Sequence, residues 1–138
     1  MNDYSAKYLS ENKEILKEKV AFSIPDIAIF MKGYDKNQLM KVCNNYNFPH
    51  PKTIDLSILE KGLSVTNFQF PALIKPNETT GARGFMKVNC SDELWENYDA
   101  VFNEFGACHL QEFIPQGGKQ YKVQILIYKI LFYLIVAN

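Results

Sequence analysis

Residues 70–88 read FPALIKPNETTGARGFMKV and contain the clearest structural signal of the sequence, two short strands joined by a polar loop. Its first part is an apolar run that ends in a lysine, which predicts a buried strand from Phe70 to Lys75 that stops at Pro76. Its last part predicts a second strand from Phe85 to Val88. The two strands form a hairpin with a loop of about eight residues, and loops longer than the usual two to five residues are commonly functional.

Groups that suit a phosphate surround the turn of this hairpin. Lys75 stands at the end of an apolar strand, where its stem packs and its ammonium group points into a cleft. The loop after it offers small residues, two hydroxyl groups and one guanidinium group, which are the components of an anion-binding cover. The loop matches neither the Walker A motif nor the dinucleotide fingerprint, and a solvated lysine beside a simple hairpin turn is the plainer alternative.

The segment before the hairpin predicts a helix, a strand and a shorter helix. Asp35 and Gln38 have the spacing of a capping box that opens a helix. That helix should end before the prolines at positions 49 and 51, which force extended backbone. A short strand from Lys52 to Asp55 and a short helix from Leu56 to Leu63 should follow.

The segment after the hairpin predicts a helix between two strands. Ser91 is a good N-cap for an amphipathic helix that runs through Phe105 and ends at Gly106. A strand from His109 to Ile114, a turn and another strand from Gln120 onward should follow. The fold class predicted from these elements is α+β, with a mixed or antiparallel sheet flanked by helices.

Composition and charge exclude several classes of protein. The 138 residues form one domain or one lobe of a larger protein. Fifteen basic and fifteen acidic residues leave no net charge and no basic cluster, which argues against a nucleic-acid partner. The three cysteines, Cys43, Cys90 and Cys108, suit no disulfide framework or zinc site, so we interpret them as small core residues of a cytoplasmic protein.

Neither histidine has a second His or Cys at ligand spacing, so His50 and His109 are interpreted as structural. The apolar run from Val123 to Ala137 is too short and too interrupted to span a membrane. It contains no Gly, Pro, Asn or Asp that would make a turn. We therefore expect one added strand, which self-associates in a homodimer or remains a poorly soluble edge.

Taken in order, these motifs resemble the ATP-grasp superfamily and, within it, the carboxylate-amine ligases of the carbamoyl-phosphate-synthase type. The resemblance covers roughly residues 33–127. The segments that carry it are Asp35-Lys36, residues 48–53, residues 70–76, the Gly81-Ala82-Arg83-Gly84 loop and residues 110–115. It implies an ATP-grasp nucleotide-binding lobe that is truncated in this chain.

The nucleotide-binding residues that the resemblance implies are Lys36, Lys75, Thr79, Thr80, Gly81, Arg83, Gly84, Gln111, Glu112, Phe113, Ile114 and Gln120. The two lysines would bind the phosphates, and the loop from Thr79 to Gly84 would cover the β- and γ-phosphates. The segment from Gln111 to Ile114 would be the hinge whose backbone holds adenine. The family usually has acidic residues at the positions of Gln111 and Gln120, the second of them on the ribose, so the glutamines predict weaker binding.

By the same resemblance, the parent enzyme activates a small carboxylate with ATP as an acyl phosphate and couples it to an amine. Its cofactors are ATP and Mg²⁺, and the metal ligands are expected in a C-terminal part that this chain lacks. We assign no catalytic residue and no metal ligand here, and we expect at most weak ATP binding without turnover. Residues 1–33 would be a lead-in, the remnant of a preceding domain, and residues 34–138 a partial ATP-grasp domain.

Two other functions remain open. The segment from Gln111 to Ile114, followed by Gly117 and Gly118, also resembles ATP-grasp small-molecule kinases of the inositol-phosphate type, although the loop at 81–84 favours a ligase. The chain would otherwise be a non-catalytic interaction module that pairs through its terminal strand. Neither function involves nucleic acid or a membrane.

Overall fold

The computed structural model describes residues 2–62, 65, 67–119, 121–128 and 131–137, and from residue 122 onward it describes the backbone alone. The elements in chain order are α1 (Asp3–Glu11), α2 (Lys13–Leu16), α3 (Ile27–Tyr34), α4 (Lys36–Asn45), β1 (Thr53–Asp55), a 3-10 turn (Leu56–Ile58), β2 (Ala72–Pro76), β3 (Met86–Val88), α5 (Leu94–Phe105), β4 (Cys108–Glu112), β5 (Lys122–Tyr128) and β6 (Leu131–Ala137).

Four strands form one antiparallel sheet in the order β1-β4-β2-β3. The α+β prediction is confirmed, and so is the hairpin in residues 70–88, although its strands begin one or two residues later than expected. In the pairing of β2 with β4, Lys75 lies opposite His109 and Leu73 lies opposite Gln111. This register places residues that are distant in sequence side by side on one face of the sheet.

Helix α5 packs on the opposite face of the sheet and closes the hydrophobic core. The buried core residues are Leu56, Phe68, Ala72, Ile74, Val88, Leu94, Val101, Cys108 and Leu110. Each buried aliphatic side chain of this kind stabilises the fold by about 1.5–3 kcal/mol. The central strands β2 and β4 therefore give the other face a rigid base.

Helix α5 begins later than predicted. Its N-cap position is held by Glu93, not Ser91, and no side chain caps it. The Ser91 hydroxyl accepts a hydrogen bond from the backbone N–H of Val65 at 3.4 Å, and the Glu93 carboxylate accepts one from the backbone N–H of Asn89 at 2.8 Å. These contacts tie the segment to the chain before it, which is why the helix starts only at Leu94.

The predicted helix start at Asp35 is confirmed. The Asp35 carboxylate accepts a hydrogen bond from the backbone N–H of Gln38 at 2.9 Å, and α4 follows. The predicted helix over Leu56 to Leu63 is wrong, because the backbone turns extended at Leu59 after one 3-10 turn, and Leu63 lies outside the described residues. Helix α1 packs against α3, and α3 against α4, while the domain boundary at residue 33 stays a prediction.

The expectation of one strand from Val123 to Ala137 is wrong. Strands β5 and β6 pair with each other in a separate antiparallel sheet, with Tyr128 opposite Leu131. Pairing within the chain satisfies backbone hydrogen bonds that a single unpaired strand would leave open. Within the described residues, no helix is long and apolar enough to cross a membrane.

The cysteines differ in their surroundings more than the sequence indicated. Cys108 is fully buried, as predicted, whereas Cys43 is half-buried and Cys90 is exposed. The prediction for Cys90 is wrong, because the residue lies in the exposed bend between β3 and α5.

Candidate anion-binding cleft

A cleft of about 720 Å³ opens on the face of the sheet that α5 does not cover. Because alternate strand residues point to opposite faces, β2 and β4 bury Ile74 and Leu110 on the α5 side and turn their neighbours into the cleft. The lining residues are Lys36, Leu39, Met40, Leu73, Lys75, Pro76, Thr79, Ala82, Arg83, Phe85, His109, Gln111 and Gln116.

Two lysine ammonium groups lie in this cleft, and the acceptors of their hydrogen bonds are uncharged. The Lys36 Nζ atom donates to the carbonyl oxygen of Thr79 at 2.6 Å, and the Lys75 Nζ atom donates to Oε1 of Gln111 at 2.6 Å. Neither lysine takes part in any ion pair formed by residues 2–62, 65, 67–119 and 121. Neutral oxygen atoms therefore accept hydrogen bonds from both lysines but do not balance their positive charge.

Burial makes the charge of both groups costly. It lowers the pKa of Lys36 and of Lys75 below the ordinary value, and the neighbouring Lys75 charge lowers the pKa of Lys36 further. Two half-buried cations that repel each other favour an anion between them, because an anion replaces the lost hydration and removes the repulsion.

Hydrogen bonds from α4 shape the loop between β2 and β3. The backbone N–H of Lys36 donates to the carbonyl oxygen of Asn77 at 3.0 Å, and its ammonium group also reaches the Thr79 hydroxyl at 3.3 Å. The exposed Arg83 guanidinium group donates to the Thr80 carbonyl oxygen at 3.2 Å. One lysine thus holds the start of the loop, while the arginine near its end folds back over its middle.

The end of the loop rests against α5. Gly84 has a φ of +74°, and a Cβ atom there would lie 2.7 Å from the Phe105 ring. Gly81 has a φ of +68°, but no atom would lie within 4 Å of its Cβ. The backbone packing of Gly84 is a structural role that its sequence position did not reveal.

The structure brings five of the predicted binding residues together in the cleft: Lys36, Lys75, Thr79, Arg83 and Gln111. Thr80, Gly81, Gly84, Glu112, Phe113 and Ile114 do not line it. Gln120 lies outside the described residues.

The hinge residues after Gln111 are held by other contacts. The Glu112 carboxylate accepts a hydrogen bond from the backbone N–H of Lys52 at 3.1 Å, and the ammonium group of Lys87 lies 4.5 Å from the centre of the Phe113 ring. Ile114 is 57% exposed. Strand β4 ends at Glu112, so the backbone at 113 and 114 lies beyond the sheet pairing at one end of the cleft.

The sequence reasoning missed His109 as a residue of the cleft. Its side chain is fully buried, and its Nδ1 atom lies 2.8 Å from Oδ1 of Asn77. Burial and the charges of Lys75 and Lys36 lower the pKa of His109 to about 4. The two-residue spacing of His109 and Gln111 was the available signal, but only the register with β2 shows what they face.

In the part of the chain that the structure describes, no three His, Cys, Asp or Glu side chains come together in a way that could hold a metal ion. The charged side chains that line the cleft are those of Lys36, Lys75 and Arg83, and the ring of His109 is neutral.

Two solved structures have the same fold. The D-alanine-D-alanine ligase from Helicobacter pylori matches 99% of this chain with a TM-score of 0.73 and 22% identity. The ligase of the same name from Bacillus anthracis also matches 99%, with a TM-score of 0.64 and 17% identity. Both are ATP-grasp enzymes. This chain has the ATP-grasp fold.

The likeness is limited in two ways. The chain spans 43% and 51% of the length of these two ligases, so it corresponds to about half of either enzyme. No family model matches the sequence, and no curated protein matches it either. The ATP-grasp fold predicted from the motifs is confirmed, whereas the carbamoyl-phosphate-synthase type stays a prediction.

Proposed function

We propose that this chain is the nucleotide-binding part of an ATP-dependent ligase that activates a carboxylate as an acyl phosphate and couples it to an amine. The observation that supports it is the pair of cations, Lys36 and Lys75, which line one cleft of an ATP-grasp fold and form no ion pair with any residue whose side chain the structure describes. Within that class, the motif order of the sequence favours the carbamoyl-phosphate-synthase type.

The lining of the cleft includes both charged and apolar side chains, and a nucleotide requires both. The lysines lie beside the loop that starts at Asn77, where a triphosphate would replace the Thr79 and Gln111 oxygens as their acceptor. Leu39, Met40 and Leu73 supply apolar surface for a base, which suits the mostly apolar lining of ligand pockets. Backbone groups beyond Glu112, where β4 ends, would contact the edge of that base, although residues 113 and 114 do not line the cleft in this structure.

The proposal assigns no phosphoryl-transfer step to the described residues. Such a step depends on metal ions that neutralise the developing charge, and the cleft provides lysines but no metal site. We therefore expect the chain to bind ATP without forming ADP. Mg²⁺ would reach the cleft with the nucleotide and be held by groups outside those described here.

A calorimetric titration of the chain with ATP tests the proposal. Lys36→Met and Lys75→Met remove one charge each while they keep the packed stem, and each should weaken binding about ten- to hundredfold. Lys61→Met is the matched control, because the Lys61 ammonium group already has a carboxylate partner, Asp99 on α5, at 2.6 Å. If both cleft variants bound ATP as tightly as the wild type, the proposal would be refuted.

One of the two alternatives gives a different result in the same titration. An interaction module would show no ATP binding, and neither lysine variant would alter its association with a partner. A small-molecule kinase would share the nucleotide site, so it would differ only in the acceptor of the phosphoryl group. A cytoplasmic location and a homodimer through the terminal strands remain predictions.

A further inference from the structure

The imidazole of His109 lines the cleft, and its side chain is fully buried. Its Nδ1 atom is hydrogen-bonded to Oδ1 of Asn77, whereas its Nε2 atom is closed off from solvent and has no hydrogen-bond partner among the residues that the structure describes. A buried polar atom without a partner costs about 1–3 kcal/mol. Such an atom in a candidate binding cleft points to a ligand.

The contact with Asn77 determines what Nε2 can do. Because the Asn77 carbonyl oxygen accepts, Nδ1 carries the proton of the neutral ring and Nε2 is left as a bare acceptor. Lys75 lies directly opposite His109 in the sheet, and its positive charge opposes protonation of the ring. The group at this position is therefore a neutral hydrogen-bond acceptor.

We infer that His109 is a specificity-determining residue of the cleft, whose Nε2 atom accepts a hydrogen bond from the base or sugar of the bound nucleotide. This inference rests on the proposed function. Phosphate groups are excluded as the partner because they carry no donor when ionised, whereas an exocyclic amino group or a ribose hydroxyl does.

The lysines connect this atom with phosphate binding. Lys36 and Lys75 are the two cations that act most strongly on the ring. An ammonium group has three donors, so Lys75 can bind a phosphate while it donates to Gln111. A nucleotide whose phosphates bind these lysines would have its base and sugar in the cleft that His109 lines, and contact with the buried Nε2 atom would require a local rearrangement.

Titrations of His109→Leu with ATP and with tripolyphosphate test the inference, since only ATP carries a donor. We expect ATP binding to weaken about five- to tenfold and tripolyphosphate binding to stay unchanged. Titrations with inosine triphosphate, 2′-deoxy-ATP and 3′-deoxy-ATP distinguish the amino group and the two ribose hydroxyl groups, because the analogue that lacks the relevant donor should be insensitive to the substitution.

Two conservative variants separate recognition from a structural role. The amide oxygen of Gln can take the place of Nε2, whereas Asn reaches only the position of Nδ1. We therefore expect His109→Gln to retain most of the ATP affinity and His109→Asn to lose it, with circular dichroism confirming that both fold. This pair also keeps the test valid if the leucine variant does not fold.

The outcomes that overturn the inference are distinct. If His109→Leu weakened the binding of ATP and of tripolyphosphate equally, the ring would be a protonated phosphate ligand. If the Gln variant lost as much ATP affinity as the Asn variant, the role of the ring would be structural. If none of the three substitutions changed the ATP affinity, His109 would have no part in recognition, while the proposed function would stand. A wild-type chain that binds neither ligand would remove the proposed function and this role together.

Discussion

The ammonium group of Lys75 donates a hydrogen bond to the side-chain oxygen of Gln111, 2.6 Å away on the neighbouring strand. The two residues are diagonal neighbours, because Gln111 lies opposite Leu73 in the register of β2 and β4. An amide satisfies the geometry of the ammonium group without cancelling its charge. The positive charge of the cleft is therefore kept for a ligand.

Gln111→Glu should reduce the affinity of the cleft for tripolyphosphate, although the resemblance predicts that an acidic residue at this position strengthens the binding of a whole nucleotide. Tripolyphosphate has no base or sugar, so it reports the charge of the cleft alone. The new carboxylate would pair with Lys75 and reverse the direction of its pKa shift, because an opposite charge favours the ionised form. We expect tripolyphosphate to bind about tenfold more weakly, which corresponds to about 1.4 kcal/mol. Calorimetry measures the change, and an affinity equal to that of the wild type would show that the Lys75 charge does not contribute.

Acid should destabilise the fold through His109. Burial and the positive charges of Lys75 and Lys36 lower its pKa to about 4 in the folded chain. The negative charges of Asp35 and Asp55 raise this pKa, but by less. An unfolded histidine titrates near about 6.5, so between these two values the unfolded state binds the extra proton and stability falls as pH falls.

Urea unfolding at about pH 7.5 and about pH 5 checks this dependence. Between about pH 7.5 and about pH 5 we expect the free energy of unfolding to fall by about 2 kcal/mol more in the wild type than in His109→Leu. The subtraction removes the contribution of the carboxylates, which both chains share. Identical losses in the two chains would show that His109 titrates normally in the folded state.

Gly84→Ala should be far more destabilising than Gly81→Ala. Both residues have a positive φ, which costs an alanine about 1–2 kcal/mol, but only at Gly84 would the new Cβ meet the Phe105 ring. The collision adds about 1–3 kcal/mol. Thermal unfolding measures both changes, and the excess at Gly84 should largely disappear in a Phe105→Ala background.

The three thiols should react in the order of their exposure. Cys90 is exposed and should be alkylated first, Cys43 is half-buried and should follow, and Cys108 should react only on unfolding. Burial raises the pKa of Cys108 to about 11, so hardly any thiolate is present at neutral pH. Mass spectrometry of a labelling time course gives the order, and early labelling of Cys108 would contradict the buried core.

Local chemistry in the sequence was enough to predict the hairpin around Lys75 and the start of α4 at Asp35. Both depend on residues close together in the chain, namely an apolar run before a proline and a capping box. His109 could not be assigned in the same way, because its role follows from its position opposite Lys75 across two strands. Ser91 was misread because its hydroxyl group bonds to Val65, a contact that no local pattern encodes.

The most direct test is the ratio of the ATP dissociation constants of Lys75→Met and the wild-type chain, measured by calorimetry at one ionic strength with Lys61→Met as the reference. A ratio of about ten or more, with the Lys61 variant equal to the wild type, is the predicted result. A ratio near one, or a wild-type chain that does not bind ATP, would contradict the assignment of this cleft to a nucleotide.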